Sequence, residues 1–377
     1  MSNDFNEKTH DVAEQGKVKC KECGGLLMYN PGVQSLKCEY CGTVNDISEE
    51  MKPVQAEEID FLAFLANAEN TAEKMEITTV KCDSCGSSTT LSPNVTADTC
   101  PFCGTALVVK GGTTSSLIRP KYMLPFKIDK KKGTEEFKKW LSGLWFAPGD
   151  LKNAAQNDKL KGLYIPYWTY DTNTVSDYTG LRGMYYYETE TYTVTENGKT
   201  ETRTREVRKV RWEPANGTVY DSFDDVLVIA SSSLPEKYAN ELEPWDLDQL
   251  AAFNEQFLSG FIAEKYQLDV KGGFEKAKVK MDPVIRTTVR KNIGGDEQQI
   301  TTLNVIYNDI TFKHILLPVW ISAFKYNSKV YRFMVNGRTG EVQGERPYSF
   351  WKIFGAVAGG LAIIAGAVYL YMKYKHG

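Results

Sequence analysis

Hydrophobic and polar positions change period several times along the chain. Residues 56–72 carry Ile59, Leu62, Leu65 and Ala66 at helical spacing, which predicts a short helical linker over 56–76 ahead of a strand-like run at 77–81. The run GGTTSS at 111–116 reads as a flexible connection, with a new domain beginning near Leu117. Thr134 can cap a helix whose one face holds Phe137, Trp140, Leu141, Leu144 and Trp145 and which Pro148 and Gly149 end. That stripe reads as core. Helical patterns return at 235–242, 247–266 and 274–290, and Pro283 in the last should kink it or start it afresh.

The clearest strand signal is a hairpin at 185–212, where Asn197-Gly198 suits a type I′ turn. A two-residue turn there sets Glu196 opposite Lys199, Tyr192 opposite Arg203, Glu190 opposite Arg205 and Tyr187 opposite Arg208. The hairpin is polar on both faces toward its tip and reads as a solvated structural arm. Its Arg203, Arg205, Arg208, Lys209 and Arg211 are offset by Glu188, Glu190, Glu196, Glu201 and Glu206. Further strands are expected at 301–307, 310–317 and 319–325, and a second hairpin at 331–343. Ile165-Pro166-Tyr167-Trp168 and Leu317-Pro318-Val319-Trp320 share a short pattern that suggests two related halves.

Residues 353–372, IFGAVAGGLAIIAGAVYLYM, hold twenty positions without a charge. As a helix they reach about 30 Å, enough to cross a bilayer once. Tyr348 and Trp351 on one side, Tyr369, Tyr371 and Tyr374 on the other, and Lys352, Lys373 and Lys375 around the run give it the flanks of a transmembrane helix. Gly355 and Gly359 form a G-x-x-x-G pattern through which two such helices can self-associate. Arg338, Arg346 and Lys352 before the run outnumber Lys373 and Lys375 after it, so the expected orientation is N-terminal domains inside and tail outside.

Composition narrows the classes. The 377 residues are 42% hydrophobic and 25% charged, which excludes disorder throughout, collagen and a many-span transporter. The net charge of −3 supplies no global field for nucleic acid, and residues 1–112 are acidic, with 9 Lys/Arg against 17 Asp/Glu. The polar start has no apolar run behind a basic segment, so no secretory signal is expected and the cysteines should face a reducing compartment.

Those eight cysteines fall in two sets, Cys20, Cys23, Cys38, Cys41 and Cys82, Cys85, Cys100, Cys103, the second displaced by 62 residues from the first. Gly24, Pro31, Val33, Gly42 and Thr43 recur as Gly86, Pro93, Val95, Gly104 and Thr105, which makes a tandem repeat. Two thiolates two residues apart reach one ion from a single tight turn, so four such turns make two tetrahedral zinc sites. The same cage accepts iron. A thioredoxin-like pair would not need a second pair at matched distance. With four protein ligands each site is closed and therefore structural. Tyr40 and Phe102 occupy matching positions, where they either cover their own cluster or offer a ring to a base or a protein. The charge around the ribbons is weak, which argues against nucleic acid as a partner.

No phosphate-binding glycine loop is present, and the only histidines are His10, His314 and His376. His314 reads as a satisfied sheet residue, and no catalytic constellation can be assembled.

The segments KCKECGG to CEYCGT and KCDSCG to CPFCGT, with LPFKID, LYIPYWTYD, DYTGLRG, LLPVWI and VNGRTGEV, resemble a bacterial family of tail-anchored, double zinc-ribbon proteins. Its members carry labels such as primosomal helicase-like or TFIIB-type zinc ribbon. The resemblance implies a membrane-bound adaptor linked to envelope stress, near phage-shock and stomatin-like proteins. Together these readings give an α+β protein with two tandem four-cysteine zinc ribbons, a mixed antiparallel-sheet and helix body, and one C-terminal transmembrane helix. The expected segments are a disordered start at 1–16, ribbons at 17–47 and 77–110, a body at 117–347 and a span at 353–372. The expected function is a non-enzymatic, cytoplasm-facing adaptor that binds two zinc ions and recruits proteins at the cell membrane. The alternative is a nucleic-acid-binding ribbon protein of replication or transcription.

Overall fold

A computed structural model describes residues 19–33, 35–47, 52–67, 74–90, 97–108, 113–148, 160–196, 199–326 and 329–376. The stretch 1–16 and the Asn197-Gly198 turn lie outside them. The first ribbon pairs β1 (Leu27–Asn30), β2 (Ser35–Cys38) and β3 (Val44–Asp46) in one antiparallel sheet. It is followed by β4 (Ile59–Asp60) and α1 (Phe61–Asn67). The second ribbon uses β5 (Lys74–Lys81), β6 (Ser88–Thr90), β7 (Ala97–Thr99) and β8 (Ala106–Val108), and β9 (Thr113–Ile118) returns along β5. The body comprises β10 (Tyr122–Met123), α2 (Lys130–Ser142), β11 (Lys161–Glu196), β12 (Lys199–Ile229), α3 (Glu236–Asn240), β13 (Ala251–Ala252) and β14 (Ile262–Ala263). It continues through α4 (Val270–Ile293), β15 (Glu297–Tyr326), β16 (Lys329–Asn336) and β17 (Val342–Gly344), and α5 (Phe350–His376) closes the chain.

The central strands β12, β11 and β15 lie side by side, all antiparallel. At the base of β11, residues 162–170 are buried without interruption because both sheet faces are covered. Leu163, Ile165 and Tyr167 face the second ribbon, whose Phe102 joins their cluster. Tyr164 faces the first ribbon and α2, in a cluster with Tyr29, Phe126 and Phe137. The two ribbons therefore dock on opposite faces of one sheet. Farther out the burial alternates as on a half-covered sheet, with Thr172, Thr174, Ser176 and Tyr178 turned inward. The cover is α4, whose Phe274, Ala277, Met281, Ile285, Val289 and Ile293 recur at helical spacing. Asp269 caps that helix by accepting from the Gly272 amide at 2.7 Å.

Beyond Gly183, opposite Glu297 on β15, only β11 and β12 continue. Thirteen residues of each leave a two-stranded arm of roughly 40 Å. Glu196 stands opposite Lys199, Tyr192 opposite Arg203, Glu190 opposite Arg205 and Tyr187 opposite Arg208, the register that the turn and the charges set. Arg205 bonds Glu190 at 3.2 Å, Lys209 pairs with Glu188, and the Arg208 guanidinium lies 4.2 Å from the centre of the Tyr185 ring. Arg203, Arg205, Arg208, Lys209 and Arg211 thus each meet an anion or a ring of the arm itself.

Several sequence expectations are corrected. The hairpin at 185–212 is the outer part of one reaching from 161 to 229. Residues 113–116, read as a linker, are strand, paired with β5. Of the helix expected across 56–76, the described residues show α1, with strand at Ile59–Asp60 before it and from Lys74 on, while 68–73 lie outside the described residues. No single helix occupies 247–266: Asn254 caps a short 3-10 turn, and Gly260 adopts φ +88° where a Cβ would strike Met28. The stretch is instead two short 3-10 turns alternating with the two-residue strands β13 and β14, and its buried positions Leu250, Ala251, Phe257 and Glu264 come from different elements, so periodicity misled. α4 runs unbroken through Pro283, which sits on its exposed face. α2 starts at Lys130 under an Asp129 cap, not at Thr134, and Trp145 leaves the core stripe to stand 81% exposed. His314 is buried, its ring tilted against Trp168 with centroids 4.5 Å apart, and burial pushes it down to about 3 against a weaker opposing contact with the Ile118 backbone.

The two Pro-x-Trp segments are antiparallel neighbours, with Ile165 opposite Leu317. Their surroundings repeat as well. Leu124 donates to the Leu316 carbonyl and Glu264 to that of Tyr164, both at 3.0 Å. Ala230 donates to the carbonyl of Pro166 and Gly337 to that of Pro318, both at 2.9 Å. The Trp320 indole donates to Ile128 and the Trp168 indole to Leu268, each one residue before an aspartate that caps a helix. The same joint thus occurs twice in the body, with Trp320 held against the start of α2 and Trp168 against the start of α4.

Candidate metal centres and the apolar helix

Each cysteine pair sits on a turn that the sequence dictates locally. Gly24, Gly42, Gly86 and Gly104 have φ of +73°, +76°, +74° and +73°, a region that glycine enters without a Cβ clash. The turns close by amide donation back to the first cysteine's carbonyl, as from Gly24 to Cys20 at 2.8 Å and Gly104 to Cys100 at 2.9 Å. The amides of the first cysteines point outward to Gly25, Thr43, Ser87 and Thr105.

All eight expected ligands assemble as the spacing requires. Within each quartet the sulfurs lie inside 4.8 Å of one another. Cys20 to Cys41 is 3.6 Å, Cys23 to Cys38 3.5 Å, and both Cys82 to Cys103 and Cys85 to Cys100 are 3.7 Å. A zinc ion holding four thiolates at about 2.3 Å sets them about 3.8 Å apart in a tetrahedron, whereas a disulfide requires about 2 Å. All eight are free thiols. The two clusters fit two zinc ions.

Sequence reasoning noticed Thr43 and Thr105 as repeated positions but gave them no role. The Thr43 hydroxyl lies 3.0 Å from the Cys41 sulfur, and its hydroxyl and amide draw that thiol down to about 6. At Cys103 burial pushes upward, but hydrogen bonds from Thr105, Cys85 and Cys100 together outweigh it and the thiol also falls to about 6. The opposite thiols retain their protons. The Gly25 amide favours the Cys23 thiolate, yet bonding to Cys41 and Cys38 holds Cys23 up at about 12. Burial lifts Cys100 to about 12. Ion binding must displace those protons, so occupancy is coupled to pH.

The two centres differ at one repeated position. Ser87 places its hydroxyl 3.1 Å from the Cys85 sulfur and 3.3 Å from that of Cys100. Its counterpart in the first ribbon is Gly25, where a Cβ would meet the Tyr40 ring at 2.7 Å. Tyr40 lies against its own ribbon and is 82% exposed, while Phe102 is 0% exposed in the body core. The Phe102 carbonyl also accepts from Arg332 at 2.7 Å. The first ribbon docks through another residue: Tyr29 donates to the Phe126 carbonyl at 2.8 Å.

A third group, Glu58, Asp171 and Asp224, also meets the distance requirement for a metal. Lys313 already sits among these carboxylates, 3.3 Å from Glu58 and from Asp171 and 2.8 Å from Asp225. Burial raises Asp171 to about 6.

The apolar stretch forms α5, of which Phe350–Tyr374 is long and apolar enough to cross a membrane and none is buried by the body. Fold and sites together describe an α+β zinc-type protein with a C-terminal helix that fits a membrane anchor. The chain is similar to the uncharacterized protein YdjG of Bacillus subtilis, with 28% identity over 267 residues covering 68% of this chain and 73% of that protein. No family model and no solved structure matches it.

Proposed function

We propose that this protein is a single-pass, cytoplasm-facing adaptor at the cell membrane, without enzymatic activity, that recruits other proteins through the exposed knuckle of its first ribbon. The supporting observation is the contrast between Tyr40 and Phe102. The same repeat position that buries its ring against the body in the second ribbon presents an exposed ring in the first. Closed tetrathiolate centres offer no position for substrate, so their use is to hold such a surface rigid. Recruited partners of the phage-shock or stomatin class, and a role in envelope stress, follow from the family resemblance and belong to this proposal. So does self-association through Gly355 and Gly359, which have nothing within 4 Å of an added Cβ.

In-cell crosslinking of the full-length chain, followed by solubilisation, tests the reading. Tyr40→Ala should lose at least one membrane-associated partner while keeping its zinc and its membrane location. An unchanged partner set would refute it.

A further inference from the structure

We propose that the loop at 143–148 lies in the headgroup layer of the bilayer, with Trp145 and Phe146 as a second, interfacial contact that fixes the body against the membrane. This rests on the reading of α5 as a span. The loop begins where α2 stops at Gly143, and the apolar stripe of that helix divides there. Phe137 and Leu141 stay in the core, whereas Trp145 and Phe146 are 81% and 40% exposed.

Hydrogen bonds fix the depth of this loop. The Ser349 amide donates to the Phe146 carbonyl at 2.7 Å. The Lys352 ammonium donates to the carbonyl of Ala147 at 2.8 Å and to that of Trp145 at 3.4 Å. At about 1.5 Å of rise per residue, positions 349 and 352 lie within roughly 6 Å of Ile353, where the uncharged run begins. A loop tied to both is held where the chain enters hydrocarbon, the zone in which tryptophan side chains concentrate. Tyr348, Phe350 and Trp351 are exposed at the same end and continue the aromatic surface.

Charge supports a lipid occupant over a protein. Lys138 and Lys139 near the end of α2 and Arg346 before the span are exposed, which suits anionic headgroups, although Glu136 approaches Lys139 at 3.9 Å and offsets part of that charge. Continuity with the span decides it. A protein partner seated on Trp145 would have to share the space beside the first turn of α5 with the bilayer.

The test places p-benzoylphenylalanine at Trp145, Trp351 or Tyr220 of the full-length chain, reconstituted in vesicles of phosphatidylcholine and phosphatidylglycerol. Irradiation should give lipid adducts at 145 and 351 several-fold above those at Tyr220, an exposed residue of the arm strand β12. Adducts at 351 without adducts at 145, or equal adducts at 145 and 220, would overturn the docking and leave the span intact. No adduct at either 145 or 351 would remove the span reading and this proposal with it. Unchanged zinc content in each variant checks the fold.

Discussion

Phe102 and Tyr40 provide an internal control, since the tandem repeat puts them at one position and the fold gives them opposite surroundings. Phe102→Ala removes a fully buried ring from the contact between the second ribbon and the sheet, near Leu163, Ile165 and Tyr167. Emptying such a site costs about 3–5 kcal/mol. Tyr40→Ala truncates a ring that is 82% exposed and should stay within about 0.5 kcal/mol. For a body of this size each kcal/mol moves the melting temperature by about 2–4 °C, so Phe102→Ala should melt roughly 6–20 °C below the parent and Tyr40→Ala close to it. The assay is thermal unfolding of the full-length protein in detergent, with zinc measured on the same samples. Neither change touches a sulfur, so both variants should keep their metal. Equal melting shifts, or zinc loss in both, would mean that each ring merely covers its own cluster and that the docking is wrong.

The remaining tests are independent of that contact. Cys20→Ser and Cys82→Ser should each lower zinc from two ions per chain to one, because each quartet is complete in itself; a fall to zero in either would show that the centres assemble together. The full chain should resist alkaline carbonate extraction while a chain stopped before Trp351 is released, and release of both would make α5 something other than an anchor. Glu264, with a carboxyl that burial raises to about 7 from 4.5, binds more protons folded than unfolded between those values. Its contribution is therefore present at low pH and lost as pH rises through about 7, a swing of ~3 kcal/mol. Compared with Glu264→Gln, the parent should lose stability between about pH 5 and about pH 8, and parallel profiles would refute the burial of a free carboxyl.

How much of this was legible in sequence follows the range of the forces involved. The zinc quartets were, because a knuckle is a local object: two sulfurs, one glycine at positive φ, and a spacing that no distant contact alters. The arm register was legible for the same reason, being set by one turn and its flanking charges. What Phe102 and Tyr40 touch was not, since equivalent sequence positions acquire opposite burial only from the sheet they meet. Nor was the start of α2. Its first turn is Lys130, Lys131 and Lys132 on the exposed side, so the apolar period begins a turn after the helix does.

The repeated joint stayed hidden for a related reason. Asp129 and Asp269 are 140 residues apart, but Trp168 and Trp320 are 152 apart, so no single offset aligns the halves. What the halves retain are the residues that make the joint: the capping aspartate, Gly133 and Gly273 beneath the indoles, and the proline carbonyls that accept from the outer strands. The space there is small: a Cβ at Gly273 would clash with the Tyr170 hydroxyl and stand 2.9 Å from Trp168, and one at Gly133 would stand 3.2 Å from Trp320, whose indole would have to give way. Where the halves differ, the difference follows their tasks. The first helix has 13 residues and ends in the Trp145 loop beside α5, whereas the second has 24 and runs along the sheet to the point where the arm begins, with Asn292 against Tyr178 and the Ile293 carbonyl accepting from Arg182. The first hairpin runs to strands of 36 and 31 residues, and the second turns back after a partner of only 8. One joint, used twice, thus lets a single sheet carry the Trp145 loop beside α5 and a projecting arm, with a zinc ribbon seated on each face of its base.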